Sequence, residues 1–172
     1  MAERFSSFNL KGLYSSDLQR AVQTAEAIGN KHGVLPVQTP LLREINFGEW
    51  EGLTYNEISS SYGEEVRKWF DDPFQRAPIG GETLSEVCQR MEVFLRDIAT
   101  RESEGTVVVV SHGGLIRSIL HCYLKQKIQQ LWEIQVDNAS VSLLKKQGAE
   151  FKVGCVNSLD HLESEYDGEA VC

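Results

Sequence analysis

The chain has 172 residues, of which 41% are hydrophobic and 24% charged, and its formal net charge is −8 at pH 7. This length suits one domain with a sizeable core, and the composition excludes a disordered or collagen-like protein. The acidic excess disfavours partners that need a basic face, so we expect neither nucleic acid nor a membrane surface as a partner. The longest apolar run, residues 107–110, is far shorter than the ~20 residues that span a bilayer.

The cysteines and the first residues bear on the cellular compartment. Cys88, Cys122, Cys155 and Cys172 lie far apart and form no C-x-x-C pair. The opening segment MAERFSSFNL has no basic start followed by an apolar core, so it does not resemble a signal peptide. We therefore expect reduced thiols and a cytoplasmic location.

The first third of the chain predicts one strand end and one helix. Residues 13–15 are the candidate strand end, and residues 16–19 have the spacing of a capping box that opens a helix. Apolar residues at helical spacing follow, and Gly33 is expected to end the helix. Residues 34–53, with two prolines and two glycines, are expected to be mostly strand ends and loop.

Two further capping boxes, at residues 54–57 and 83–86, predict two more helical regions. The first is expected to be a short helix that stops near Gly63, with a second short helix over 64–70. The second box opens the clearest helix of the chain. Its apolar stripe consists of Leu84, Val87, Cys88, Met91, Phe94, Leu95 and Ile98.

The last part of the chain predicts strands around one more helix. Residues 106–110 are apolar and β-branched, which is typical of a strand buried on both faces of a parallel sheet. A turn at 111–114 and a helix over 115–124 follow, and further strands are predicted at 140–144 and 151–157. The alternation predicts an α/β fold, with a mostly parallel sheet and helices on both faces.

Several common catalytic motifs are absent from the sequence. There is no G-x-G-x-x-G, G-x-x-x-x-G-K-[ST], H-E-x-x-H or G-x-S-x-G, so nucleotide-binding, zinc-protease and serine-hydrolase readings have no support. A cysteine phosphatase needs an arginine six residues after its cysteine. Six residues after Cys88, Cys122 and Cys155 the sequence has Phe94, Ile128 and His161. None of these is an arginine, so the sequence does not support cysteine-phosphatase catalysis.

His112 is a candidate site residue because it directly follows the predicted strand at 106–110. Ligands of open α/β sheets bind outside the carboxyl ends of the strands. Gly113 allows a backbone N–H group to approach a ligand closely, and the N-terminus of the next helix favours an anion. The alternative is that His112 merely caps a turn.

Arg20 and the acidic residues near residue 44 are further candidates. Arg20, one turn into the first helix, suits phosphate binding, although such an arginine is also a common solvated surface charge. Glu44 has apolar neighbours in sequence, which would raise the pKa of its carboxyl group toward that of a general acid. Glu49 and Glu51 compete for this role, and spacing does not choose between the three.

Five segments, in chain order, resemble signature segments of the histidine phosphatase superfamily, the phosphoglycerate-mutase-like enzymes. They are LYSSDLQRA with TAE within 13–26, REINFGEWEG at 43–52, GGETL at 80–84, VSHGG at 110–114, and Asn157 with His161 and Leu162. The resemblance identifies residues 1–172 as a single domain. The segment at 44–52 is most similar to that of broad-specificity and α-ribazole phosphatases, and a phosphoglycerate mutase usually has a longer insertion after it.

The resemblance implies hydrolysis of a small phosphomonoester. In the family, a histidine of an R-H-G motif attacks phosphorus and becomes phosphohistidine. Glu44 would then protonate the leaving oxygen and later activate water, while Arg20 and His112 hold the phosphoryl oxygens. This chemistry needs no metal and no other cofactor, and a homo-oligomer is compatible with it.

The R-H-G motif itself is absent from the 172 residues. Lys31-His32-Gly33 is the nearest match, but it ends a predicted helix and follows no strand. The family's first strand and most of its first helix, about 30 residues of a βαβ unit, are therefore expected to be missing. The explanations open are a natural start further upstream, which we favour, a shortened paralogue that only binds phosphate, or a partner chain that adds the strand.

Two consequences follow from the missing motif. We expect this chain to have little or no phosphatase activity, and the alternative function is a non-catalytic phosphate-binding or interaction domain.

Trp69, Phe70 and Phe74 are candidates for an apolar rim over a substrate, although simple packing against the sheet is favoured for them.

Overall fold

The computed structural model describes residues 2–102, 104–148 and 150–162. Its helices and strands, in chain order, are β1 (Leu10–Ser16), α1 (Gln19–His32), β2 (Val37–Thr39), α2 (Tyr55–Asp71), α3 (Leu84–Arg101), β3 (Thr106–Val110), α4 (Gly113–Leu124), β4 (Val141–Gln147) and β5 (Glu150–Ser158). None of the helices in the described ranges is long and apolar enough to cross a membrane.

The strands form two separate sheets. One is parallel, with the order β2-β1-β3, and in it Tyr14 lies opposite both Val37 and Val109. The other is the antiparallel hairpin of β4 and β5. The predicted α/β fold with a parallel sheet is confirmed, and the structure adds that the last two strands pair only with each other within the described residues.

Side chains alternate across the parallel sheet, so each face packs against different helices. Leu13 of β1 and Val108 of β3 pack with Ala25 and Ile28 of α1. The neighbouring residue Tyr14 points to the opposite face, where the apolar side chains of α3 and α4 lie. Helices therefore cover both faces, as the sequence predicts.

A cavity of about 1370 Å³ separates the two sheets. It is lined by every residue of β3 and by most of β4, with apolar side chains of α3 and α4 around it. Among the described residues, no strand pairs with either β3 or β4 on this side. The expectation that β3 is buried on both faces is wrong except at Val108, since the cavity leaves the other four residues partly exposed.

Helix α3 follows the sequence prediction closely. The Thr83 hydroxyl accepts the N–H of Glu86, and the Glu86 carboxylate accepts the N–H of Thr83 at 2.7 Å, so the capping box is present. Such a cap contributes about 1 kcal/mol to stability. All seven residues of the predicted stripe are buried, and the stripe joins α3 to the main core.

The other helix boundaries differ in part from prediction. The capping box at residues 16–19 is wrong, because the N-cap of α1 is Leu18, which has no side-chain cap, and the Ser16 hydroxyl instead accepts the N–H of Leu18. Gly33 ends α1 as predicted, with φ of 66°. The two short helices predicted on either side of Gly63 are confirmed as two helical stretches of α2, separated by a kink of non-helical backbone at Tyr62.

Aromatic residues of α2 pack against each other and against tryptophans of other segments. Trp69 is buried against Trp50, and Phe70 contacts Trp132. Phe74 packs beside His121. These side chains do not line the cavity, so the packing interpretation fits them and the rim interpretation does not.

Two of the cysteines are free thiols, Cys88 and Cys122. The expectation of reduced thiols is wrong for Cys155, which is disulfide-bonded. Cys172 lies outside the described residues.

Candidate functional site

Arg20 and His112 meet at the carboxyl ends of two neighbouring parallel strands. Ser15 near the end of β1 pairs with Val110 at the end of β3, so the segments that follow these strands emerge side by side. Arg20 lies in the first turn of α1 and His112 directly after β3. The Arg20 Nε–H donates a hydrogen bond of 3.2 Å to His112 Nδ1.

This contact determines the state of the imidazole. Because Nδ1 accepts a hydrogen bond, the ring is neutral and its proton resides on Nε2. His112 is 7% exposed, and its Nε2 is buried with no hydrogen-bond partner among the described residues. Burial, and secondarily the Arg20 charge, lower the pKa of His112, which favours the same neutral state. The site therefore holds an unused buried N–H donor.

The lowered pKa of His112 predicts a pH-dependent stability. An unfolded His112 titrates near its ordinary value of 6.5, whereas the folded protein resists its protonation. The unfolded state then binds more protons below that value, so the free energy of unfolding is expected to fall as pH drops from about 7 to about 5. Urea unfolding across this range should show a smaller loss for His112→Gln than for the natural chain. Parallel curves for the two proteins would contradict this.

Glu44 lies beside His112 and caps helix α4. Its Oε2 accepts the N–H of Gly114 at 3.2 Å, and its Oε1 accepts the N–H of Leu115 at 3.1 Å. A third N–H, from Ile45, also reaches Oε1. The carboxylate is thus surrounded by backbone donors of a helix N-terminus, which stabilise negative charge.

The structure separates Glu44 from the two competing carboxylates. Glu49 is exposed and accepts the Tyr62 hydroxyl at 3.1 Å. Glu51 is also exposed and accepts the N–H of Phe47. Of these three acidic residues, Glu44 alone lines the cavity shared with Arg20 and His112.

Gly113 and Gly114 have different tasks. The N–H of Gly114 is taken by Glu44, whereas no acceptor for the N–H of Gly113 exists among the described residues. A Cβ added to Gly114 would lie 2.5 Å from Glu44 Oε1, but one added to Gly113 would meet nothing closer than 3.9 Å. The backbone N–H of Gly113 is therefore available to a ligand. Gly114 has to be a glycine because Glu44 and Ile45 pack closely against it.

The donors left unused belong to residues that line the cavity. They are the terminal amino groups of Arg20, Nε2 of His112 and the N–H of Gly113, none of which has a partner in the described part of the chain. Arg43 does not join them, because it forms two short hydrogen bonds with Asp17 and holds the pKa of that carboxyl below its usual range. Positive and N–H donors of this kind form a site for an anion.

Arg90 supports the site, and sequence reasoning missed it. Its guanidinium donates to the carbonyl oxygens of Leu41 and Glu44 at 2.8 and 3.2 Å, and pairs with Glu82 at 2.8 Å. Glu82 in turn accepts the N–H of Asn46. The signal in the sequence was an arginine spaced between Val87 and Phe94 on the apolar side of α3.

Arg20, His112, Gly113 and Glu44 thus line one cavity at the carboxyl edge of a parallel sheet. This arrangement places a positive charge, N–H donors and a carboxylate together on an α/β scaffold. The chain belongs to the histidine phosphatase superfamily (branch 1), whose family model matches residues 1–159.

Named relatives cover most of this chain. Phosphoserine phosphatase 1 of Hydrogenobacter thermophilus is 30% identical over 166 residues, covering 96% of this chain and 79% of that protein. Phosphoglycerate mutase-like protein 4 of Arabidopsis thaliana is 32% identical, covering 95% of this chain and 71% of that protein.

Solved structures show the same fold. Bacillus stearothermophilus YhfR superposes with a TM-score of 0.85 at 28% identity, covering 94% of this chain and 83% of that one. A mycobacterial glucosyl-3-phosphoglycerate phosphatase in complex with VO3 has a TM-score of 0.81 at 28% identity, covering 91% and 81%. The resemblance to this family stated from the sequence is confirmed.

Proposed function

We propose that the anion site binds the phosphoryl group of a small phosphomonoester. The observation that carries this proposal is the convergence of unused donors from Arg20, His112 and Gly113 on one cavity. Relatives named as phosphatases support it, as do the VO3 and inorganic-phosphate complexes of the mycobacterial enzyme. Those two ions have the charge and oxygen geometry that such donors recognise.

We further propose the roles of the four residues in hydrolysis. Arg20, the Nε2–H of His112 and the N–H of Gly113 hold the phosphoryl oxygens, where negative charge increases in the transition state. Glu44 gives its proton to the leaving oxygen as the P–O bond breaks. It then takes a proton from the water that releases phosphate from a phosphohistidine. The helix N-terminus beside Glu44 favours the carboxylate that remains after the first transfer.

The nucleophile of this scheme is not among the residues described around the site. His112 does not suit that role, because its Nδ1 accepts from Arg20 and its Nε2 carries the proton, so neither nitrogen offers a free lone pair. His32 ends α1 and does not line the cavity. The cavity between β3 and β4 has room for the additional strand that the family resemblance implies.

We therefore expect the purified 172-residue chain to hydrolyse p-nitrophenyl phosphate at a rate near background. A phosphorus NMR search for phosphohistidine after incubation with a phosphodonor is expected to find none, because R-H-G is absent from the chain. The matched control is His112→Ala. Robust turnover that is lost in His112→Ala would contradict the expectation and show that a residue within this chain replaces the nucleophile.

The second candidate function is a non-catalytic phosphate-binding domain. The open cavity beside β3 and the missing motif favour it over an active enzyme for this chain taken alone. Phosphate binding without turnover would establish it, whereas turnover would exclude it. The cytoplasmic location and the homo-oligomer expected from the sequence stay predictions.

A further inference from the structure

Two free thiols face each other between helices α3 and α4. Cys88 is in the second turn of α3 and is buried, and Cys122 is in the last turn of α4 and is half-buried. Their sulfur atoms are 2.8 Å apart. This separation is about 0.8 Å more than the ~2.05 Å of a covalent S–S bond, so a disulfide needs little movement of either side chain.

The surroundings favour Cys122 as the reactive thiol of the pair. The two thiols are within hydrogen-bonding distance, and the contact with Cys88 lowers the pKa of Cys122 against the opposing effect of burial. The same contact, together with burial, raises the pKa of Cys88. The thiolate is the nucleophile in disulfide exchange, and Cys122 is also the more exposed of the two residues.

We propose that Cys88 and Cys122 form a reversible disulfide that links α3 to α4, with a small-molecule disulfide such as oxidised glutathione as the oxidant. The Cys122 thiolate attacks one sulfur of the oxidant, forming a mixed disulfide and expelling one small thiolate. Cys88 then loses its proton and attacks Cys122 Sγ, and the second small thiol leaves. Two electrons pass from the two cysteines to the oxidant, which becomes two thiols.

This link joins the two helices that hold Glu44. Arg90, two residues after Cys88 on α3, donates to the carbonyl oxygen of Glu44. The first turn of α4 donates to the Glu44 carboxylate. A disulfide between α3 and α4 therefore opposes any motion that separates these two sets of donors. The inference does not rest on the proposed function, because it requires only the two thiols and their packing.

The test uses the full chain in a background where Cys155 and Cys172 are replaced by serine, so that only the two thiols remain. After incubation with oxidised glutathione and trapping with a maleimide, we expect a mass loss of about 2 Da, no maleimide adduct, and a cross-linked peptide pair containing Cys88 and Cys122. Dithiothreitol should reverse all three. Closure of a loop of about 35 residues is expected to raise the Tm by roughly 5–15 °C over that of the reduced protein.

Two further variants make the result decisive. Cys88→Ser should give a stable glutathione adduct at Cys122, because the second thiol is missing, and Cys122→Ser should stay largely unmodified at the buried Cys88. A glutathione adduct without a cross-link in the two-cysteine protein, or full maleimide reaction at both thiols, would overturn the proposal. A cross-linked protein with an unchanged or lower Tm would also overturn it, since the geometry would then be strained.

Discussion

Replacing Arg20 by alanine is expected to weaken the binding of inorganic phosphate about 100-fold. Each charge-assisted hydrogen bond contributes about 1.5–3 kcal/mol, and Arg20 offers two terminal amino groups that no described residue occupies. The substitution also removes the positive charge nearest His112. The measurement is a phosphorus NMR titration of phosphate against the natural chain and the variant, at constant ionic strength.

The matched control for this experiment is Arg96→Ala. Arg96 has the same charge, but its side chain is 79% exposed on α3 and pairs with Glu92 one turn away. At moderate ionic strength its loss should change phosphate binding by less than about twofold, because distant surface charges are screened. Equal losses in both variants, or unchanged binding in Arg20→Ala, would remove Arg20 from the proposed site.

Replacing Gly114 by alanine is expected to lower the free energy of unfolding by about 2–3 kcal/mol, which corresponds to a Tm lower by roughly 5–10 °C. The added Cβ would lie 2.5 Å from Glu44 Oε1 and 2.7 Å from Ile45 Cδ1, so both side chains must move. Movement of Glu44 breaks its hydrogen bonds to the first turn of α4. The ~1 kcal/mol by which alanine favours a helix over glycine does not offset this loss.

Gly113→Ala is the control for this prediction. The nearest atom to its added Cβ is the Val136 carbonyl oxygen at 3.9 Å, which is an ordinary contact. Its backbone N–H is retained, so thermal unfolding should resemble that of the natural chain. A larger decrease in Tm for Gly113→Ala than for Gly114→Ala would contradict the described packing of Glu44 against the start of α4.

The two pairs of variants examine different parts of one site. Arg20 acts on an anion in the cavity, and its replacement should leave the packing of the core intact because the residue is exposed. Gly114 affects Glu44 by steric means, because the absence of a side chain at Gly114 leaves the space that the Glu44 carboxylate occupies. Arg20→Ala also removes the hydrogen bond to His112 Nδ1, so we expect a small decrease in Tm together with the loss of phosphate binding.

Much of the fold could be predicted from local patterns. The capping box and the seven buried residues of α3 were readable because helical periodicity and capping depend on residues three or four positions apart. The start of α1 was not readable in this way, since Ser16 bonds to Leu18 rather than to the third residue of a helix. The division of α2 into two helical stretches was predictable near Gly63, and the kink lies one residue earlier, at Tyr62.

The sequence by itself determined the α/β fold, the family resemblance and the candidates Arg20, Glu44, His112 and Gly113, because these follow from residue order and local spacing. Only the tertiary structure decided that Glu49 and Glu51 lie away from the cavity, that Gly114 packs against Glu44, and that Arg90 donates to its carbonyl oxygen from α3. The physical reason is that these contacts join residues dozens of positions apart, and a one-dimensional pattern holds no distance between such residues.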